Sequence, residues 1–372
     1  MTCLSARYIW TDRGRVSPSR ANVDKGSYGE CEPSMNRKVT CAGFTAPASF
    51  SLARSIMDHN PVVYGVDVSK AKLVTGRYDV SALSEVDNQV EAITAWLAGL
   101  PKGAVVAMEA TGPYHRLLAQ LAYAAGLPVF VLNPQLLKHY AVAIGQRAKT
   151  DPCDARLIAR YVVHERAKLR PWRPPAPAAD RLSQLLERRH TVVVARQTLA
   201  QSLSGLPMLK GVRARLLASV DRTLGRLEVL IRREIARLPG MAALHERLMS
   251  IVGVGPVVAA QLVAVFSTLN FARTDSFIAY TGLDPRAADS GARHGRRRLS
   301  KHGPPLLRCQ LYNAGRAAAT SKLFKPVYNQ LLDRGLQTTE ALVILARKIA
   351  RIAFAIYKSG EVFNAQKHFK TT

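Results

Sequence analysis

The chain has 372 residues, of which 53 are lysine or arginine and 26 are aspartate or glutamate, so its formal net charge is +27. A chain of this length can bury two or three separate cores. So large a positive excess is typical of proteins that bind polyanions, and nucleic acid is the first expectation. The five cysteines show no metal-binding spacing and no even disulfide set, which argues against a disulfide scaffold and fits a reducing cytoplasm.

The first 60 residues are polar, rich in serine and arginine, and lack hydrophobic periodicity. This composition predicts a disordered extension over residues 1–60, without the pattern of a secretory signal. The longest apolar run, residues 248–266, is interrupted by Gly253-Val-Gly255-Pro256 and contains Gln261. We therefore expect no membrane helix and predict a cytoplasmic, nucleoid-associated bacterial protein.

Residues 61–168 alternate short apolar runs with amphipathic ones. The runs predict strands at 62–68, 72–78, 104–109 and 128–132, and helices at 86–97, 114–125, 134–144 and 152–163. This order predicts an α/β domain with a mixed sheet. The segment between the first strand and the helix at Val86 is short, so the second and third strands are expected to be truncated within residues 72–83.

A proline-rich stretch, Arg170-Pro-Trp-Arg-Pro-Pro-Ala-Pro177, cannot continue a helix and predicts a stiff linker at 169–178. Two long amphipathic segments follow and predict a helical hairpin at 179–240. Pairing as a coiled coil with another subunit and a plain bundle inside one chain both fit the pattern. We predict a mainly helical domain at 241–358 and a tail at 359–372.

The peptide Ser250-Ile-Val-Gly-Val-Gly-Pro-Val-Val-Ala-Ala260 matches a helix-hairpin-helix turn. In such a turn Gly253 and Gly255 would let backbone N–H groups face a nucleic-acid phosphate at the start of the next helix. Glycines that merely turn the chain between two core helices are the alternative interpretation.

Two predicted strands each carry one carboxylate, Asp67 and Glu109. Removing an ionised carboxylate from water costs several kcal/mol unless a cation or hydrogen-bond donors compensate, so acids on separate strands suggest a shared metal ion. Asp151 and Asp154 follow at a predicted helix start, where residues i and i+3 project on one side. Helix capping alone would also explain this pair. Together the four acids reproduce the layout of an RNase H-like or RuvC-like nuclease core with two divalent ions.

A serine followed by glycine, Ser290, precedes the densest basic run of the chain. The candidate nucleic-acid-binding residues of this run are Arg293, Arg296, Arg297, Arg298 and Lys301. Five cations would release counterions on binding, so the affinity for nucleic acid should fall steeply with salt. A surface-loop serine beside a solvated basic run is the alternative interpretation.

Several motifs resemble those of the DEDD transposases of insertion sequences, the IS-one-ten family. The N-terminal motifs are Gly65-Val-Asp-Val-Ser-Lys70, Met108-Glu-Ala-Thr-Gly-Pro-Tyr114, Asn133-Pro134 and Lys149-Thr-Asp-Pro-Cys-Asp-Ala-Arg156. The motifs similar to that family's C-terminal transposase domain are Gly253-Val-Gly-Pro256, Ala279-Tyr-Thr-Gly-Leu-Asp-Pro285, Asp289-Ser-Gly291, Ser300-Lys-His-Gly303 and Leu307-Arg308. The resemblance runs from about residue 62 to 357.

The resemblance implies an α/β RNase H-like (RuvC-like) N-terminal domain and a mainly α C-terminal transposase domain. It makes Asp67, Glu109, Asp151 and Asp154 a tetrad that binds Mg²⁺ or Mn²⁺. It also makes Ser290 the nucleophile that attacks a DNA phosphodiester, forming a covalent protein–DNA link before strand exchange. Members of the family can use a structured guide RNA to pair with donor and target DNA. The implied protein is a DNA transposase or recombinase that moves or inverts its own element as a dimer or tetramer.

Two other functions are consistent with the residues. A RuvC-like junction endonuclease would hydrolyse DNA with water and would need no serine. A non-catalytic nucleic-acid-binding protein would keep its function without the acids.

Overall fold

The structure, a computed structural model, describes residues 61–110, 112–145, 151–286 and 297–368. The side chains of residues 151–153 and 368 and the predicted extension 1–60 lie outside this description. Contacts join Pro61–Thr372 into one unit, so the sheet and the helices that follow it can be described together.

Among the described residues, five strands form one mixed sheet in the order β3-β2-β1-β4-β5. The strands are β1 (Val63–Val68), β2 (Lys72–Gly76), β3 (Leu83–Asp87), β4 (Val105–Glu109) and β5 (Val129–Leu132). The first three strands are antiparallel neighbours, whereas β4 is parallel to both β1 and β5. The predicted mixed α/β sheet is confirmed.

Strand β3 lies at Leu83–Asp87, largely beyond the range 72–83 expected for the second and third strands, and the predicted start of the first helix at residue 86 is wrong. Leu83, Val86, Val90 and Ile93 recur at intervals of three and four, which is the spacing of a helix. In the structure Val86 pairs with Leu73 of β2, and the helix begins only at Val90. Pairing with β2 at the edge of the sheet therefore overrides the local helical periodicity. The second and third strands that were expected to be truncated are β2 and β3, which are short.

Helices cover both faces of the sheet. They are α1 (Val90–Ala98), α2 (His115–Ala124), α3 (Pro134–Ala143) and α4 (Asp151–Glu165). On one face Met108 packs with Ile93 of α1 and Leu118 of α2. On the other face Ala107 and Phe130 belong to the same core cluster as Ile158 of α4.

Two long helices follow, α5 (Pro177–Ser202) and α6 (Lys210–Ala236), with a 3₁₀ turn at Pro207–Leu209 between them. Three ion pairs join the helices along their length. They are Arg181–Glu234 at 3.0 Å, Arg189–Glu228 at 2.7 Å and Arg196–Asp221 at 2.5 Å. Residue numbers rise on one helix as they fall on the other, so the helices form an antiparallel hairpin.

The remainder of the described chain is mainly helical, as predicted. Its elements are α7 (Met241–Met249), α8 (Pro256–Thr268), α9 (Thr274–Thr281), β6 (Pro285–Arg286), β7 (Arg298–Leu299), α10 (Pro305–Ala319), α11 (Lys325–Asp333), α12 (Thr338–Ser359) and α13 (Ala365–His368). Leu182 and Ile231 at the base of the hairpin share one core with Leu262 and Leu345. The proposed domain boundaries stay predictions.

No helix within the described ranges is both long and apolar enough to span a membrane.

Candidate active site

Asp67 and Glu109 lie side by side at one edge of the sheet. The parallel register of β1 and β4 pairs Val66 with Met108, so the next residue on each strand is one of the two acids. Both acids are half-buried. Residues paired across neighbouring strands project to the same face. The two carboxylates predicted from sequence to share a site are therefore adjacent in the structure.

The face that carries these acids is the one covered by α4. Asp67 shares a face with Gly65 two residues earlier, because strand side chains alternate. A Cβ atom at Gly65 would lie 2.0 Å from the backbone oxygen of Ala155 and 2.5 Å from the backbone nitrogen of Ala159. Only glycine permits this approach, and the backbone of α4 therefore lies directly on β1 beside Asp67.

The same contact locates Asp154. This half-buried residue lies in the first turn of α4, immediately before Ala155, and therefore close to the strand that carries Asp67. Asp151 is the first residue of α4, but its side chain lies outside the described part.

Three of the four predicted acids, Asp67, Glu109 and Asp154, have side chains that the structure describes. Asp67, Glu109 and Asp154 each interact with a neighbouring group. Among the side chains that the structure describes, no three histidine, cysteine, aspartate or glutamate residues are grouped closely enough to hold a metal ion. The side chain of Asp151 is outside the described part, so the composition of the tetrad stays a prediction.

Asn88 connects the turns that follow the two acid-bearing strands. Its amide nitrogen donates to the backbone oxygen of Ser69 at 2.9 Å and to that of Tyr114 at 3.3 Å. Ser69 lies two residues after Asp67, and Tyr114 five residues after Glu109. The sequence analysis missed Asn88, because its partners are 19 and 26 residues away in the chain.

Asn133 joins this edge of the sheet to the C-terminal region. It directly follows Leu132, the partner of Glu109 in the register of β4 and β5. Its side-chain oxygen accepts a hydrogen bond from the Gln135 backbone nitrogen at 2.9 Å and caps α3. Its amide nitrogen donates to the His302 backbone oxygen at 2.9 Å. The sequence analysis quoted Asn133 only as part of a motif and missed this connection.

The segment around His302 is fixed against the end of α9. The Ser300 backbone nitrogen donates to the Asp284 oxygen at 3.0 Å, and the Lys301 nitrogen donates to the Gly282 oxygen at 3.2 Å. A Cβ atom at Gly303 would lie 1.8 Å from the Tyr280 backbone oxygen. The backbone of residues 300–303 therefore sits in direct contact with the C-terminal end of α9.

Ser290, Arg293 and Arg296 lie outside the described residues. The two ends of their loop are nevertheless adjacent, because Arg286 of β6 pairs with Arg298 of β7. The remaining predicted nucleic-acid-binding residues of the run, Arg297, Arg298 and Lys301, are all exposed.

Burial shifts two ionisations near this segment. It raises the pKa of the Tyr280 hydroxyl, because the charged form loses solvation there. Burial also lowers the pKa of the Arg308 guanidinium, which donates to the Gly303 backbone oxygen at 2.6 Å.

The two glycines between α7 and α8 differ in their surroundings. Gly253 has φ +91°, and a Cβ atom there would lie 2.6 Å from the backbone oxygen of Ala314. Gly255 is the N-terminal cap of α8 with φ −90°, and a Cβ atom there would meet nothing within 4 Å. Core packing therefore requires Gly253, whereas Gly255 leaves open space before the first turn of α8.

Comparisons with known proteins agree with this architecture of an α/β sheet followed by helices. A transposase family model of the DEDD type from IS110 elements matches residues 60–232. A model of the transposase IS116/IS110/IS902 family matches residues 245–329. The two matches lie in consecutive parts of the chain and include the sheet edge and the α7–α8 turn.

Relatives over most of the chain carry related names. The pilin gene-inverting protein of Moraxella bovis is 26% identical over 272 residues, which cover 70% of this chain and 82% of the relative. A protein of Pseudomonas aeruginosa named "Probable family 20 transposase" is 28% identical over 292 residues, covering 68% and 83% of the two chains. The chain is thus of the class of DNA transposases and invertases.

More specifically, the chain belongs to the IS110 family of transposases. The resemblance found from the sequence motifs is confirmed.

Proposed function

We propose that this chain catalyses metal-dependent DNA strand cleavage and exchange for the mobility or inversion of an insertion sequence. The observation that carries the proposal is the register of β1 and β4, which sets Asp67 beside Glu109. The contact of α4 with Gly65 supports it by bringing Asp154 close to the same strand. The sheet would then be an RNase H-like, RuvC-like catalytic domain.

The acids suit a divalent ion such as Mg²⁺ or Mn²⁺, whose preferred protein ligands include carboxylate oxygens. Asp67, Glu109 and Asp154 would hold the ion, with Asp151 as the fourth ligand. The register and the Gly65 contact support this assignment, because the first sets Asp67 beside Glu109 and the second sets the backbone of α4, shortly after Asp154, against β1. When bound, such ions would activate the attacking oxygen and stabilise the leaving one.

We infer that Ser290 is the nucleophile. The β6–β7 pairing holds the ends of its loop together, and Asn133 connects the following segment to the acid-bearing edge. Ser290 is the fourth residue after Arg286, so the two Cα atoms can be at most about 14 Å apart. The bond between Asn133 and His302 supports the proposal, because it would hold the base of the loop towards the acids that the reaction needs.

The proposed step exchanges one phosphate ester for another. The Ser290 hydroxyl oxygen forms a bond to the backbone phosphorus while the bond from phosphorus to a deoxyribose oxygen breaks. The hydroxyl proton leaves through the solvent, and the departing oxygen takes up a proton in return. Because one ester replaces another, the reverse attack by a different strand end can rejoin DNA without an energy-supplying cofactor.

Three further features belong to the same proposal. The α7–α8 turn would be a helix-hairpin-helix phosphate contact, which the open space at Gly255 supports. The net charge of +27 would suit a structured guide RNA as well as DNA. Assembly as a dimer or tetramer is supported by exposed apolar side chains at the hairpin tip, Leu206 and Met208. A DNA-acting enzyme of this kind would work at the nucleoid.

The test is an assay for covalent protein–DNA adducts with labelled DNA from the element ends, run with and without Mg²⁺ and with and without co-purified RNA. Asp67→Asn and Glu109→Gln should each abolish adduct formation, and Ser290→Ala should abolish both adduct and exchange. Glu91→Gln is the matched control, because Glu91 is an exposed acid in the first turn of α1. It should react like the unchanged protein.

Two outcomes would overturn the proposal. Cleavage that survives Ser290→Ala, with no adduct in the unchanged protein, would indicate a RuvC-like hydrolytic endonuclease. Full function after Asp67→Asn and Glu109→Gln, with unchanged binding, would indicate a non-catalytic nucleic-acid-binding protein.

A further inference from the structure

Helix α6 carries a row of arginines along one face. Arg215, Arg222, Arg226 and Arg233 are separated by seven, four and seven residues. At 3.6 residues per turn they fall within an arc of about 40°, and the row is about 27 Å long. We name these four residues the arginine stripe.

The arginine stripe is exposed, and its members are separate from the ion pairs of the hairpin. The nearby acids Asp221, Glu228 and Glu234 bind the arginines of α5 instead. Within the described ranges, no acid forms an ion pair with any of the four arginines. Their charge is therefore available to a partner outside this chain.

The corresponding outer surface of α5 differs. Its exposed residues after Arg188 are uncharged and include Thr191, Ala195 and Thr198. Beyond Arg188 the exposed cations of the hairpin therefore lie on α6 and not on α5. An excess of cations spread evenly over the surface would not produce this difference between two neighbouring helices.

The chemistry of the arginine stripe fits phosphate. A guanidinium group binds phosphate through two parallel hydrogen bonds and sheds water more readily than an ammonium group. A straight row of about 27 Å runs alongside about eight base pairs at 3.4 Å each, a length over which a duplex presents phosphates of both strands. The large apolar side chains that α6 exposes, Val212, Leu216, Val229 and Leu230, form two separate pairs, one near each end of the row, and are too few for the apolar core of a stable subunit interface.

We propose that the arginine stripe binds the sugar–phosphate backbone of duplex DNA that flanks the reacting site. This rests on the proposed function only in that the chain acts on DNA, and it assigns the hairpin a role in holding the substrate. Contacts to the backbone carry no base information, so the arginine stripe should strengthen binding equally for all sequences.

The experiment measures the affinity of full-length chain for a duplex that contains an element end, over a series of salt concentrations. Every protein carries Ser290→Ala, so that binding is measured without reaction. The test variant replaces all four arginines of the stripe by glutamine, which has a similar helix propensity. The matched control removes four exposed cations elsewhere: Lys102, Arg188, Lys325 and Arg334.

The test variant should bind DNA more weakly, and the slope of log affinity against log salt should fall by about 3 to 4, roughly 0.9 per lost phosphate contact. The double variant Arg222→Gln, Arg226→Gln should lose about half of that slope. The control variant should change the slope much less. Helix content by circular dichroism should be the same in all variants.

Three outcomes would overturn the inference. An unchanged salt slope in the test variant would mean that DNA does not contact the stripe. Weaker binding of structured RNA, with DNA binding intact, would assign the stripe to RNA. Loss of self-association, with DNA affinity per chain unchanged, would assign it to a subunit contact. If the adduct assay fails while this experiment succeeds, the DNA contact stands and only the proposed chemistry is wrong.

Discussion

The edge of the sheet and the helical hairpin present their charged groups in opposite ways. At the sheet edge, Asp67 and Glu109 are placed by strand register and by a helix that touches the backbone of Gly65. On the hairpin, the charged groups project from the outside of α6, and no backbone contact fixes them. One added methyl group at Gly65 should therefore disrupt the sheet edge. The outer face of α6 should tolerate substitution, and its DNA binding should weaken gradually as arginines are removed.

The largest expected effect is at Gly65. Gly65→Ala would place a carbon 2.0 Å from the Ala155 backbone oxygen, so β1 and α4 must separate. We expect a loss of about 3 kcal/mol of unfolding free energy, the upper part of the usual range for overpacking. Urea unfolding measures it, and adduct formation should fall with it.

The matched control lies in the hairpin. Gly225→Ala in α6 would meet no heavy atom within 4 Å and should stabilise the helix by about 0.5–1 kcal/mol. If both alanine variants unfold alike, the proposed difference between the two regions is wrong.

A second contrast separates the two glycines of the α7–α8 turn. Gly253→Ala should cost about 2 kcal/mol, because φ +91° and the Ala314 contact both oppose a side chain. Gly255→Ala should change the unfolding free energy by less than about 0.5 kcal/mol. If the turn contacts phosphate, Gly255→Ala should weaken DNA binding measured by anisotropy. Unchanged DNA binding would mean that the two glycines serve only to turn the chain and to pack it between α7 and α8.

Asn133 has two roles that substitutions can separate: it caps α3, and it donates a hydrogen bond to the His302 backbone oxygen. Asn133→Ala removes both the cap of α3 and the bond to His302, and should cost about 1–2 kcal/mol. Asn133→Asp keeps the cap acceptor but cannot donate to the His302 oxygen, so it should cost less in thermal unfolding. Both variants should lower adduct yield. A normal yield with Asn133→Asp would show that this connection does not position the serine loop.

The smallest effect concerns pH. Arg196 forms a hydrogen bond with Asp221 and lowers the pKa of this carboxyl, so the pair stabilises the folded state above the ordinary pKa near 3.9. This stabilisation is lost as pH falls through the lower folded-state value. Arg196→Gln should reduce the loss of thermal stability as the pH falls below the ordinary pKa of the carboxyl. The change should be small because the pair is exposed, and an identical pH profile would exclude the contribution.

Much of the element order could be predicted because apolar periodicity is a local property. The strands that carry Asp67 and Glu109 and the two hairpin helices follow directly from this pattern. The position of strand β3 did not, because its two apolar residues continue the spacing of α1 and its edge position leaves it little buried.

Trp172 illustrates a similar limit. Its surroundings in sequence predict only a stiff linker. In the structure its backbone nitrogen donates to the Val129 oxygen of β5 at 2.7 Å, and its ring lies 6.0 Å from that of Tyr123. The linker segment therefore packs on the edge of the sheet, a contact that composition alone could not indicate.

The sequence by itself determined the acids, the basic run, the order of helices and strands, and the family motifs, because each depends on residues that are close in the chain. The tertiary structure decided that Asp67 and Glu109 are neighbours on the face covered by α4. It also decided that Asn133 meets His302, 169 residues away. Such contacts depend on strand register and on backbone packing between distant segments. Neither of these produces a periodic pattern of residues in the sequence.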